Sequence, residues 1–332
     1  MARLADVARE AEVSISAASV ALGGRSRTIG ISRDTRRRVL EAAKRLGYIP
    51  SPAAVSLSTG RTSTLGVLIN RPAEYLTHPN GALTLVSMCG SAAERGYQVL
   101  LVGFNPDTPV DARLMDACIV IGWVDEGCAR RLEELAARIP VVTTYRRIPG
   151  AIFAATEGAS AASAELAALH LYGLGHRRIA IVETTAQCPV TERFREIARR
   201  EGLRIDLVTF IDHWRDRVYR TVEEIARLDP LPTAVHAFDD DYARTLIARW
   251  ARDGRRVPED VSVFSGQTHA AGFQSAPLLT GVDGHHEREY ASIVRALIES
   301  LRPGNGTVED IVLPAATPEL IVRESCAPPR PA

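Results

Sequence analysis

Along the first fifty positions the apolar residues recur at helical spacing. Leu4, Val7, Ala8 and Ala11 share one face of a short helix over 4–10 that should end near Glu12. Val13 follows, then Ser14, whose hydroxyl favours the N-cap of a second helix over 15–22. Gly23-Gly24 stops that helix. A third begins after Ser32 and runs to about Leu46, with Val39, Ala42, Ala43 and Leu46 set to cover the first two and Gly47 to terminate it. Two short helices across a tight turn make a helix-turn-helix.

From Leu65 the pattern changes. Apolar strands are expected at 64–69, 97–104, 117–123, 140–145, 177–182, 203–210, 233–238 and 260–266, with helices between them, among others near 81–95 and 191–200. Continuous apolar strands alternating with helices imply parallel sheets covered on both faces. Two such units, each of about 130 residues, suggest two lobes with a cleft between them. Ligands of open parallel sheets bind beyond the strand carboxyl ends. Between head and body, 50–62 (PSPAAVSLSTGRT) reads as a linker. The expected division is therefore a head at 1–49, a hinge at 50–62 and a two-lobed body at 63–332.

Charge sharpens this picture. The chain is neutral overall, with 40 Lys/Arg and 40 Asp/Glu. Residues 1–62 hold eleven Lys/Arg against five Asp/Glu, a surplus of six positive charges that the remaining residues balance with six negative. A basic head on an acidic body suits a local polyanion-binding module. Asp6, Arg9, Glu10 and Glu12 interrupt any signal-peptide core, and no stretch approaches the roughly 18 uncharged apolar residues of a membrane helix. A cytoplasmic protein with no membrane contact is expected. The five cysteines form no close pair and no cluster with zinc spacing, so free thiols are expected.

In a helix-turn-helix the second helix enters the DNA major groove with its early residues at the base edges. Here those are Ile15 and Ser16, then Ser19 and Val20. Phosphate contacts fall to Arg25, Arg27 and the Arg36-Arg37-Arg38 cluster, Arg36 first, with the hydroxyls of Ser14, Ser32 and Thr35. No catalytic constellation, P-loop or dinucleotide fingerprint stands out, and no cofactor is expected. His285-His286 and Asp239-Asp240-Asp241 are compatible with metal, but a solvated pair and a structural strand end are the more economical readings, so no metal is expected.

The stretches RLADVAREAEVSISAASVAL and ISRDTRRRVLEAAKRLGYIPSPAAVSLSTGRT closely resemble the head of the lactose-repressor family of bacterial transcriptional regulators. Downstream, LYGLGHRRIAIV, PTAVHAFDDDYA, VPEDVSVFSG, APLLTGV and PELIVRES are similar to that family's markers, in order. The resemblance implies an all-α helix-turn-helix head on an α/β two-lobed periplasmic-binding-protein-like body. It also implies a homodimer on a pseudo-palindromic double-stranded operator, and a small effector between the lobes. It places Ala54 and Leu57 in the minor groove as part of a hinge helix. Two departures stand out. The family's turn glycine is Glu12 here, and its frequent base-reading arginine is Val20, which can meet a thymine methyl but not grip guanine.

In the cleft the resemblance suggests Trp123, Arg146, Arg193, Trp214, Asp239 and Gln267 as effector contacts. The family's effector-gripping arginine falls on Val190, with Arg193 nearby as a substitute, and an aspartate falls on Gln267. Other polar positions fall on Ile121 and Gly284. The usual sugar grip is largely replaced, which implies an effector other than a simple sugar, or none. Three readings remain open at this point. They are an effector-controlled regulator, a DNA-binding regulator with an effector-blind body, and an enzyme or transport-type binding protein with an incidental basic head.

Overall fold

The protein is described from a computed structural model. It covers residues 2–22, 31–49, 51, 56, 60–70, 76, 79–122, 124–144, 146–157, 159–183, 190–211, 218–268, 275–302, 310–314 and 316–330.

Three helices build the head: α1 (Leu4–Glu10), α2 (Ile15–Leu22) and α3 (Arg33–Arg45). Asp6 accepts the Arg3 amide at 2.9 Å and so ties down the first turn of α1. Ser14 caps α2 through the Ala17 amide at 3.1 Å, and Ser32 caps α3 through the Thr35 amide at 3.0 Å. Gly47, at φ +60°, ends the third helix while the Tyr48 amide returns to the Ala43 carbonyl at 2.8 Å. The core of the head is Val7, Ala8, Ala11, Ala18, Ala21, Val39, Ala42 and Ala43. Six of these eight are alanines, so the helices approach closely and bury little apolar area per residue. Leu46, expected to help cover the first two helices, is instead exposed. It is the C-cap of α3, past the last turn that faces them, and the ring of Tyr48 packs against the core from beyond it.

The body holds two six-stranded sheets. The first runs β11-β5-β4-β3-β1-β2 and the second β12-β10-β9-β8-β6-β7. In chain order the strands are β1 (Thr64–Asn70), β2 (Gln98–Phe104), β3 (Ala117–Ile121), β4 (Val141–Thr143), β5 (Ile152–Glu157), β6 (Arg178–Glu183), β7 (Asp206–Ile211), β8 (Ala234–Ala237), β9 (Ser262–Ser265), β10 (Thr280–Asp283), β11 (Ile311–Pro314) and β12 (Glu319–Ile321). Pairing is parallel except between β10 and β12, which run antiparallel. Alternate side chains serve opposite faces, as the pleat requires. In β1, Leu65, Val67 and Ile69 enter one core and Leu68 the other. In β6, Ile179 and Ile181 enter one and Ala180 and Val182 the other.

Helices α4 (Pro79–Ala93), α5 (Glu126–Ala136), α6 (Ala159–Gly173), α7 (Val190–Arg200), α8 (Val218–Ala226), α9 (Asp240–Arg252) and α10 (His286–Ser300) cover these faces. The two lobes are not successive halves of the chain, as the regular alternation had suggested. Helix α10 follows the second sheet's β10 yet packs with α4 over Leu65, Val67 and Ile119 of the first. Strand β11 joins β5, and β12 returns to β10. The chain therefore passes between lobes after β5, after β10 and after β11. Each passage leaves a strand's carboxyl end, so the carboxyl edges of both sheets border one junction.

Two buried histidines carry a cost that depends on pH. His236 lies inside the second lobe with its ring centroid 5.6 Å from Phe194 and 5.8 Å from Phe264, and its Nδ1 has no hydrogen-bond partner among the described residues. Burial pulls its pKa down to about 4. His176 bridges Thr233 and the Ala327 carbonyl, each at 3.0 Å, and burial likewise lowers its pKa to about 4. An unfolded histidine takes up its proton near pH 6.5. Each folded site resists that proton until about pH 4. Stability should therefore be full above pH 6.5 and fall as pH drops toward 4. For His236 the gap between 6.5 and about 4 corresponds to about 3 kcal/mol. Chemical denaturation across pH 7 to 4.5 should show this loss, and His236→Phe should flatten the slope; an unchanged slope would rule His236 out as its source.

Candidate nucleic-acid interface and ligand cleft

Packing of Ala18 and Ala21 against α1 and α3 turns the opposite face of α2 outward. Ile15 is 55% exposed, Ser16 is exposed, and Ser19 and Val20 are half-buried one turn on. All four expected base-reading residues thus share one accessible face, and α2 carries neither acidic nor basic side chains in its terminal turns. The expected phosphate hydroxyls are partly committed to folding. Ser14 and Ser32 are N-caps, and Ser32 and Thr35 share one hydrogen bond of 2.8 Å between their hydroxyls. That shared bond uses one hydroxyl proton and leaves the other for an outside acceptor.

The three consecutive arginines divide. Arg37 pairs with Asp34 and Glu41, whose hydrogen bonds, Asp34 first, raise its pKa. Arg38 donates to the Ala11 carbonyl at 3.0 Å and so braces α3 against the end of α1. Arg36 is exposed and has no carboxylate partner among the described residues. It is the cation of the three that remains available to a phosphate. Arg25 and Arg27, Ala54 and Leu57, and Trp123 and Trp214 lie outside the described residues.

Glu12 sits in the turn between α1 and α2 at φ +53°, the left-handed region that costs a residue with a Cβ. The turn persists because the Val13 amide bonds the Ala8 carbonyl at 2.9 Å and the head core closes on both sides of it.

Beyond the hinge, Asp116 makes a clasp that the sequence did not reveal. Its Oδ1 accepts the Thr62 amide at 2.7 Å and the Thr62 hydroxyl at 2.8 Å, and its Oδ2 accepts the Ser63 amide at 3.1 Å. Arg61 donates to the Leu301 carbonyl at the end of α10. The segment leading from the head is thus held to the first lobe by its last three residues. Only a Thr-Ser pair before the first strand hinted at this, and no local rule pairs it with an aspartate fifty residues away.

The expected cleft residues are dispersed in role. Asp239 is buried and caps α9 through the Asp241 and Tyr242 amides at 2.9 and 3.1 Å. Asp240 accepts the Ser265 hydroxyl at 2.7 Å. The Gln267 carbonyl accepts the same hydroxyl at 3.0 Å, which leaves its side chain half-buried after β9. Arg146 pairs with Glu126 at 2.5 Å. Arg193 pairs with Glu165 of α6 and with Glu196 at 2.8 Å, so its charge ties α7 to α6. Ile121 and Val190 are both core residues. His285 stands on the passage from β10 to α10 at φ +52°, with its Nδ1 3.4 Å from Asp283. Among the described residues no group of three or more His, Cys, Asp or Glu is placed to hold a metal ion. Cys89, Cys118, Cys128 and Cys326 are free thiols. No helix among the described residues is long and apolar enough to cross a membrane.

Comparison with known proteins agrees with this geometry. Residues 3–51 match the family model for bacterial regulatory proteins of the lacI family, and 168–326 match the periplasmic binding protein-like domain. The HTH-type transcriptional regulator DegA of Bacillus subtilis is 27% identical over 97% of both chains. The HTH-type transcriptional repressor PurR of Haemophilus influenzae is 26% identical over 98% of both. The lac repressor dimer, solved bound to operator and the anti-inducer ONPF, superposes with a TM-score of 0.75 at 18% identity, over 98% of this chain and 99% of that one. The chain thus joins the lacI-family DNA-binding domain to a periplasmic-binding-protein-like body, and its homologues are lacI-family regulators, not enzymes.

Two outcomes follow. Glu12→Gly should relieve the left-handed turn and stabilise the head by about 1 kcal/mol, read as roughly fivefold slower amide exchange across Val39–Ala43 in the full chain; unchanged exchange would mean that the turn is unstrained. Arg36→Ala should weaken binding to every duplex alike and lower the magnitude of the salt slope by about one per head, measured by titration at two salt concentrations. A changed sequence preference with an unchanged slope would remove Arg36 from the phosphate contacts.

Proposed function

We propose that this protein is a sequence-specific transcriptional regulator, a repressor by default, that binds a pseudo-palindromic operator as a homodimer and answers to a small molecule held between its lobes. The observation that carries the reading is the solvent-facing surface of α2, held outward by an alanine core, together with the exposed Arg36 of α3, which has no carboxylate partner among the described residues. A helix so placed fits a major groove, and an exposed arginine on the neighbouring helix of the same head fits the phosphates. The naming of the relatives as regulators and a repressor supports it, as does the likeness to a dimer solved with operator and anti-inducer.

On this reading Ile15, Ser16, Ser19 and Val20 meet base edges. Ser14, Arg25, Arg27, Ser32, Thr35 and Arg36 meet phosphates, and Ala54 and Leu57 of the hinge enter the minor groove. The working boundaries are a head to residue 49, a hinge over 50–62 and the body from 63. The site of action is the cytoplasm, where the operator lies. Effector binding shifts the balance between two lobe arrangements, and it does so only as far as it binds one better than the other. The Asp116 clasp carries such a shift to the hinge, because Thr62 and Ser63 move with the first lobe. Trp123, Arg146, Arg193, Trp214, Asp239 and Gln267 are the effector contacts to test. With Ile121 and Val190 in the apolar cores, the effector is not a simple sugar gripped by polar groups at those two positions.

Selection of bound duplexes from a random pool by the full-length protein tests the reading. Enrichment of an inverted repeat, with affinity falling at least tenfold between 50 and 200 mM salt, is the expected result. Equal, weak binding to all sequences would overturn it in favour of a binding protein with an incidental basic head.

A further inference from the structure

The chemistry of the α2 face limits which bases it can read. Ile15, Ser16, Ser19 and Val20 lie on one accessible side of the helix, Ile15 and Ser16 exposed and Ser19 and Val20 half-buried. Guanine offers two acceptors that call for arginine or lysine, adenine an acceptor and a donor that call for asparagine or glutamine, and cytosine a donor that calls for a carboxylate. The segment ISAASVAL supplies none of these. Its serines are single hydroxyls that suit several bases. Its two outward apolar side chains have one favourable partner on a base edge, the C5-methyl of thymine. Ile15 also has a reason to be covered, since its apolar surface is left in water until a partner removes it.

We infer that α2 recognises thymine methyl groups, with Ile15 and Val20 each seated on one in every half-site, and that no guanine is gripped by this helix. This rests on the regulator reading above and adds the class of base it reads. Sequence preference at those positions is then apolar and modest, and Arg36 and its neighbours supply the sequence-independent affinity.

Deoxyuridine lacks only the methyl of thymine and keeps the same pairing face. In the best duplex enriched from the random pool, each thymine is replaced in turn by deoxyuridine and the affinity of the full-length protein is measured. One methyl is expected to account for about fourfold in affinity, from the transfer free energy of a single buried carbon. The expected result is two sensitive thymines per half-site, one losing its sensitivity in Ile15→Ala and the other in Val20→Ala, while Val20→Arg gains guanine preference at the second. Insensitivity to deoxyuridine at every position, in a duplex still bound specifically, would overturn the inference and leave the regulator reading intact. So would full sensitivity retained by both alanine variants, which would place the methyl contacts elsewhere on the protein. Failure to enrich any duplex would overturn both.

Discussion

Parallel strands with apolar residues on both faces need a helical layer on each side, and in this protein that need couples the two lobes. The first sheet's inner face, with Leu65, Val67, Ile69 and Ile119, is closed by α4 and by α10. Helix α10 becomes available only after five strands of the second sheet have been threaded. Strand β11 then completes the first sheet's edge and β12 the second's. The first lobe is complete only after the chain has passed between them twice, and the second only after a third passage. A movement of one lobe against the other must therefore bend those passages, on one of which His285 occupies a left-handed conformation.

The head follows a different economy. Its core is nearly all alanine and valine, so it positions α2 by close approach of backbones and not by a large buried area. That makes the outward face of α2 a geometric consequence of small residues on its inward face. It also makes local terms matter: the caps at Ser14 and Ser32, the brace from Arg38 to Ala11 and the strained turn at Glu12 are comparable to what the small core contributes.

The end of the hinge is tied to the body through polar contacts. Asp116 and the Leu301 carbonyl take hold of Arg61, Thr62 and Ser63. Leu301 closes α10, and Asp116 directly precedes β3, so both anchors belong to the first lobe. A rearrangement of that lobe reaches the hinge through charge-assisted hydrogen bonds whose geometry tolerates little drift.

How much of this was legible in the chain depends on the range of the physics involved. Helical periodicity and Ser14, Ser32 and Gly47 placed the head's helices by themselves, because capping and patterning act over three or four residues. The apolar runs from Leu65 onward located eight of the twelve strands, since a strand buried on both faces is written in its own composition. The family's head was recognisable for the same reason, in a continuous stretch. Strands β5, β10, β11 and β12 went unplaced; the last three span only three or four residues, too few to show a pattern of their own. The return of α10 to the first lobe, the division of labour among Arg36, Arg37 and Arg38, and the Asp116 clasp were decided only by the tertiary structure. Each depends on which distant group stands within hydrogen-bonding or packing range of a side chain, and a linear pattern carries no term for that distance.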